Sequence, residues 1–254
     1  MERSPPYYDM AQTRRWPMPR TAKAIFFDLG ETLVTQNIED SMVTRNALQE
    51  ISKFLPRQVS PERLFKLYLA GYKTNDAIRS EYNTEIPIQA WMRQLLSRVT
   101  GSEPLDSLVE KCIRIIVKHR AENAVAFDDA RRTLRSLTRR RITLGVMSNV
   151  SSHEVALRIL SRVGLSRYFD LVVTSALTGI RKPDPGIFRY ALYGLNIMPC
   201  DAVIVGDSER HDIRGGYSAG FTTVLVNRNE PSSESVADYQ FRTLGEAAPT
   251  LETV

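Results

Sequence analysis

Cysteine is nearly absent from this chain. Cys112 and Cys200 are the only two in 254 residues, and they are too far apart to read as a disulfide framework or a thiolate metal site. A reduced intracellular thiol pair is expected instead. Histidine is almost as sparse: His119, His153 and His211 are scattered and show no metal-ligand spacing. No apolar run approaches the roughly 20 residues that a membrane helix needs. The first twenty residues lack the apolar stretch of a secretory leader. They are rich in Pro, Arg and Tyr and read as a disordered extension, residues 1–20. There is no internal repeat and no low-complexity tract. A membrane-spanning protein, a disulfide-stapled module and a Cys/His metal domain are set aside, and a cytoplasmic protein is expected.

What is present is an ordinary globular composition, 43% apolar and 25% charged, with a net charge of +5. A basic balance favours anionic ligands. Part of the excess lies in Arg131, Arg132, Arg135, Arg139, Arg140 and Arg141. These surround a helix whose apolar face is Ala130, Leu134 and Leu137, so they read as a solvated outer face. Nucleic acid is not an expected partner.

Ala24-Ile25-Phe26-Phe27 is a short apolar run ending at Asp28, the mark of a buried strand. From 37 to 123 the pattern turns helical. One helix is predicted over 39–55, and a second from Ser60-Pro61-Glu62, a good amino-terminal signal. A third follows Pro87 with Ile88, Trp91, Met92 and Leu95 at helical spacing. A fourth follows Pro104, with Leu105, Leu108, Cys112, Ile115 and Ile116 on one stripe. Alternation of helix and strand then follows: helices at 129–138, 152–163, 186–195 and 212–219, strands at 142–148, 171–174, 202–207 and 222–227, and a short last strand at 239–241. This predicts an α/β fold with a doubly wound parallel sheet covered on both faces. The core would comprise residues 21–36 and 124–254, and the helical insert, 37–123, would be a cap domain.

Four segments place polar chemistry at strand ends or helix starts: Asp28-Leu29-Gly30-Glu31-Thr32, Ser148-Asn149, Lys182-Pro183-Asp184-Pro185, and Gly206-Asp207-Ser208 with Asp212. Singly, each is an ordinary turn or cap. Together they supply the parts for handling phosphate. A carboxylate such as Asp28 can attack phosphorus. Asp207 ends a neighbouring strand, and two close carboxylates are unfavourable unless a cation lies between them. Oxygen ligands beside a phosphate favour Mg2+, with the Gly30 carbonyl as a further ligand and Asp212 placed to hold a metal-bound water. Lys182 supplies fixed positive charge. Ser148, Asn149 and the amides after them are placed to contact phosphate oxygens.

The four segments in this order resemble those of the haloacid dehalogenase-like hydrolase superfamily, in particular its phosphatases with a helical cap inserted after the first motif. Phe26 to Leu33 is similar to the first motif, Val146 to Asn149 to the second and Gly179 to Pro185 to the third. Val205 to Ser208, Asp212 and Gly215 through Gly220 are similar to the fourth. The likeness spans roughly residues 22 to 245, the cap matching only in position and helical character. It implies a nucleophilic Asp28 and an aspartyl-phosphate intermediate. It implies magnesium held by Asp28, the Gly30 carbonyl and Asp207, and phosphate contacts from Ser148 and Lys182. The substrate class implied is a small phosphorylated metabolite.

One position departs from the family pattern. Where its phosphatases carry a second Asp, two residues after the nucleophile, this chain has Gly30, followed by Glu31. That second carboxylate protonates the leaving oxygen and activates water. Glu31 is a candidate replacement, but its ordinary reading is a loop residue pointing elsewhere. A slow enzyme is therefore expected. The alternatives are a catalytically weakened binding or regulatory protein on the same fold, or a 2-haloacid dehalogenase, which would not be expected to keep Gly206-Asp207-Ser208. In the cap, Tyr68, Tyr72, Lys73, Arg79, Tyr82 and Trp91 are candidates both for lining a pocket and for packing the bundle. Oligomeric state is open.

Overall fold

The computed structural model describes residues 22–55, 59–140, 142–228 and 234–253. The predicted extension, residues 1–20, and Arg141 lie outside the described residues.

The first strand, β1 (Ala24–Phe27), is buried along its whole length. Ile25 and Phe27 face one apolar cluster, Ala24 and Phe26 a second. The period of two is therefore real, but both faces are apolar and the strand reads as a continuous run. After β2 (Val34–Gln36) come the four insert helices, α1 (Asp40–Ser52), α2 (Pro61–Tyr82), α3 (Ile88–Thr100) and α4 (Asp106–Glu122). The predicted start of α2 is confirmed in detail: Pro61 opens the helix and Ser60 Oγ accepts the Arg63 N–H at 3.3 Å. The chain returns through β3 (Ala124–Ala126) and then alternates through α5 (Asp128–Leu137), β4 (Thr143–Ser148), α6 (His153–Arg162), β5 (Leu171–Thr174), α7 (Ser175–Thr178), α8 (Pro185–Leu192), β6 (Ala202–Gly206), a π turn over Glu209–Arg214 that runs into α9 (Gly215–Ala219), β7 (Thr222–Val226), β8 (Tyr239–Phe241) and α10 (Leu244–Thr253).

Six strands form one sheet in the order β5-β4-β1-β6-β7-β8, and every adjacent pair is parallel. The chain builds outward from β1 through β4 to β5. It then crosses to the opposite side of β1 for β6, β7 and β8. The order reverses at β1, and in open α/β sheets the ligand crevice lies outside the carboxyl ends of the strands at that reversal.

Three features were not expected from the sequence. β2 and β3 pair antiparallel, Val34 opposite Ala126 and Gln36 opposite Ala124. At its end the Asn37 N–H donates to the Asn123 carbonyl at 2.9 Å, so the insert leaves and returns at one point. Each strand is three residues long, too short to show a period. The four-residue α7 is equally short. The third, α10, carries Pro249 inside it, which breaks the usual helical signature.

Of the arginine run, Arg132, Arg135, Arg139 and Arg140 are exposed, and Ala130, Leu134 and Leu137 are buried, as the outer-face reading requires. Cys112 is buried, Cys200 exposed, and both are free thiols. Among the described residues no helix is long and apolar enough to cross a membrane.

Candidate active site

β4, β1 and β6 are neighbours in register, with Phe27 opposite both Val146 and Val205. Their carboxyl ends therefore meet at one edge of the sheet. Asp28 follows β1, Ser148 ends β4 and Asp207 follows β6. Asp28 N–H donates to the Val205 carbonyl at 2.8 Å, which extends the ladder to the nucleophile candidate itself.

Lys182 arrives from the loop between α7 and α8 and is only 2% exposed. Its Nζ donates to Asp28 Oδ1 at 2.6 Å, to Asp212 Oδ1 at 2.5 Å and to the Met147 carbonyl at 2.7 Å. The three donors of an ammonium are all used, the condition for keeping such a charge inside a protein. Burial by itself would lower the Lys182 pKa, but Asp212 and Asp28 outweigh it and hold the ammonium above its ordinary range.

Asp212 is held between Lys182 and the backbone. One oxygen receives Lys182 and the other the Ser208 N–H at 3.1 Å. It sits directly over Gly206, where a Cβ would lie 2.2 Å from the Asp212 carboxyl carbon. The glycine before Asp207 is there because nothing larger fits. Asn149 bonds to the backbone of Lys182 through its side chain. Its Nδ2 donates to the Lys182 carbonyl and its Oδ1 accepts the Lys182 N–H, both at 2.8 Å. The side chain clamps the backbone that presents Lys182. Ser148 is buried at the base of the adjoining cavity.

The carboxylates repel one another. Burial pushes Asp28 up to about 7; Lys182 opposes this, while Asp212 and Asp207 add to it. Burial, with Asp212 next, pushes Asp207 up to about 6. Three acids surround one lysine, so the site has room for further positive charge. Among the described residues no group of three His, Cys, Asp or Glu side chains is arranged as a metal cage. A cation here would rest on Asp28, Asp207 and a main-chain oxygen. Magnesium suits such a sparse set, since it keeps waters and takes substrate phosphate as ligand.

The structure separates Gly30 from Glu31. Gly30 does not have a positive φ, and a Cβ on it would meet nothing within 4 Å. Glu31 is the residue in the left-handed region, at φ 52°. Its N–H donates to the Val34 carbonyl at 2.7 Å, and its Oε1 accepts the Thr35 hydroxyl at 2.9 Å. The carboxylate is thus engaged on its own loop, although it borders the cavity.

A cavity of about 380 Å³ lies between this edge and the insert. Of the cap candidates, Tyr68, Tyr72, Arg79 and Trp91 line it; Lys73 and Tyr82 do not. Tyr68 and Trp91 also pack edge to face, with ring centroids 4.7 Å apart. Further residues line the wall without having been expected there: Asp40 paired with Arg120, Asp76, and Arg181. Their pairings join positions as far apart as Arg181 and Glu85, 96 residues in sequence, which leaves no local signal to read.

The family model of haloacid dehalogenase-like hydrolases matches residues 22–220. The chain belongs to that family of hydrolases. Within it the chain stands with the phosphatases: it is 29% identical over 209 residues to a glyceraldehyde 3-phosphate phosphatase of Methanopyrus kandleri, covering 82% of this chain and 85% of that one. The crystal structure of a phosphatase of the same superfamily from Thermococcus onnurineus is 25% identical, with a TM-score of 0.65 over 90% of this chain and 97% of that one. A 2-haloacid dehalogenase from Pseudomonas syringae pv. Tomato superposes with a TM-score of 0.70 over 91% and 98% of the two chains; at 24% identity it speaks for the shared fold.

Proposed function

We propose that this chain is a magnesium-dependent phosphomonoester hydrolase for small phosphorylated metabolites, working through an aspartyl-phosphate at Asp28. The observation that carries this reading is the buried cluster in which Lys182 Nζ lies 2.6 Å from Asp28 while Asp207 follows the next strand. Asp28, held in place by Lys182, attacks phosphorus, the ester oxygen leaves, and water then cleaves the acyl phosphate. Lys182 orients Asp28 and offsets charge on the phosphoryl oxygens. Ser148 lies where it can donate to one of them. Asp28, Asp207 and the Gly30 carbonyl would hold magnesium, which when bound neutralises phosphate charge. The cavity is of the size that takes small ligands, and the Methanopyrus relative is named for a three-carbon phosphate.

The dehalogenase reading uses the same nucleophile and needs no cation. Asp207, following the strand that pairs with β1, sets a second carboxylate next to Asp28, and that arrangement favours the metal-assisted phosphatase instead. The test is phosphate release from p-nitrophenyl phosphate, with and without magnesium, beside halide release from 2-chloropropionate. Magnesium-dependent phosphate release that Asp28→Asn abolishes is the expected outcome. Halide release without phosphate release, or neither, would overturn the proposal.

A further inference from the structure

Two guanidiniums in the wall of the cavity share one carboxylate. Arg79 of α2 places Nε 3.0 Å from Glu85 Oε1, and Arg181, the residue before Lys182, places Nη1 against Glu85 Oε2. The Glu85 side chain is only 1% exposed. It also takes the Ser175 hydroxyl at 2.5 Å and the Ile86 N–H at 3.0 Å. Ser175 Oγ in turn accepts the Val150 N–H at 2.9 Å. The group is therefore built from both sides of the cavity, with Arg79 and Glu85 on the insert and Arg181 and Ser175 on the sheet side. Two backbone bonds tie the same strip together: Glu85 N–H to the Gly179 carbonyl and Arg181 N–H to the Asn83 carbonyl, both at 2.8 Å.

The charges do not balance. Arg120, the other guanidinium of the cavity wall, is held by Asp40 through two bonds and also donates to the Thr44 hydroxyl at 3.4 Å. Arg79, Arg181 and Glu85 sum to one positive charge. Asp76 and Glu31 also border the cavity, but both are exposed, and water screens them. Arg79 is buried, so its excess charge acts through a low-dielectric wall. Guanidinium is the side chain best suited to meet carboxylate or phosphate oxygens in pairs.

Resting on the phosphatase reading above, we propose that Arg79 and Arg181 form a second anion subsite, so that the preferred substrate is a phosphomonoester with a carboxylate or second phosphate at its far end. The subsite is complete only when insert and sheet side are docked, and substrate choice is thereby tied to the closed arrangement.

Three esters on one carbon skeleton test this: glycerol 3-phosphate, 3-phosphoglycerate and glycerol 1,3-bisphosphate. A charge-assisted contact predicts that the parent favours at least one of the latter two over glycerol 3-phosphate by about tenfold or more in kcat/KM. Arg79→Gln, and separately Arg181→Gln, leave one guanidinium to one carboxylate and should remove that preference. Glu85→Gln leaves two guanidiniums unneutralised and should keep or increase it. Ratios between esters within one preparation do not depend on the folded fraction. A merely structural trio would slow all three esters alike, and unchanged ratios in Arg79→Gln and Arg181→Gln, or no preference in the parent, would overturn the proposal. Calorimetric binding of the same esters to Asp28→Asn reads the subsite without turnover. Tighter binding of an acid ester with no hydrolysis by the parent would sink the phosphatase reading and leave the subsite standing. Equal binding of all three would sink the subsite.

Discussion

Lys182 and Asp212 form an ion pair of 2.5 Å in which each side chain is 1% exposed. The pair is the hinge of the site's electrostatics. Asp212 holds the lysine from one side, Asp28 from the other, and Gly206 gives Asp212 the space to do so.

Removing the ammonium should therefore cost stability as well as activity. Lys182→Met leaves Asp28 and Asp212 facing each other without a cation, and breaking a buried pair in this way costs about 3–5 kcal/mol. Denaturant unfolding should show a loss of that order, with Lys182→Met/Asp212→Asn recovering part of it. Phosphate release should stay lost in both.

The raised carboxyls set a pH dependence. Folding favours the neutral forms of Asp28 and Asp207, so their contribution to stability is whole below the unfolded value of 3.8. It is lost as pH rises through about 6 for Asp207 and about 7 for Asp28. In chelator, the parent is expected to lose roughly a few kcal/mol between pH 4 and 8 relative to Asp28→Asn/Asp207→Asn. Added magnesium should raise the melting temperature of the parent more at pH 8 than at pH 5, and that of the double variant at neither. Thermal unfolding across that range checks both statements.

Gly30 and Glu31 can be exchanged in role. The open space at Gly30 accepts a side chain, so Gly30→Asp should fold and speed hydrolysis of alkyl phosphates, toward the roughly 10²–10⁴-fold that general acid–base assistance supplies. Glu31→Gly should stabilise the protein by about 1 kcal/mol, because it relieves a left-handed backbone. Glu31→Gln should leave the rate on p-nitrophenyl phosphate little changed. A collapse of that rate would make Glu31 the acid, and a folded Gly30→Asp without gain would agree with it.

The insert should be separable from the sheet. Joining Gln36 to Ala124 by a short turn follows the path of the β2–β3 ribbon and cuts no strand of the sheet. The shortened chain is expected to fold, by circular dichroism and cooperative melting, and to lose discrimination among phosphate esters. Unchanged relative kcat/KM values would show that the insert does not select substrate.

The sequence by itself determined the layers of this protein and the positions of its reactive groups. Apolar runs ending in Asp28, Ser148 and just before Asp207 mark strands buried on both faces, because only such strands need no polar side. Helical spacing over 37–123 marks the insert for the same reason of burial. Where the reading was local, as at the Ser60-Pro61 start of α2, the structure agrees closely, since a cap depends on neighbours within one turn.

Tertiary structure alone decided what those groups touch. Asn149 grips the Lys182 backbone, Asp212 is spent on its ammonium, and Glu85 is divided between Arg79 and Arg181. The strand order that brings β4 and β6 to either side of β1 has no local signal, nor does the left-handed turn that falls on Glu31 rather than Gly30. Contacts between residues 30 to 154 positions apart arise when separate elements close on one another, and the pattern along the chain records only which face each element buries, not which partner it meets there.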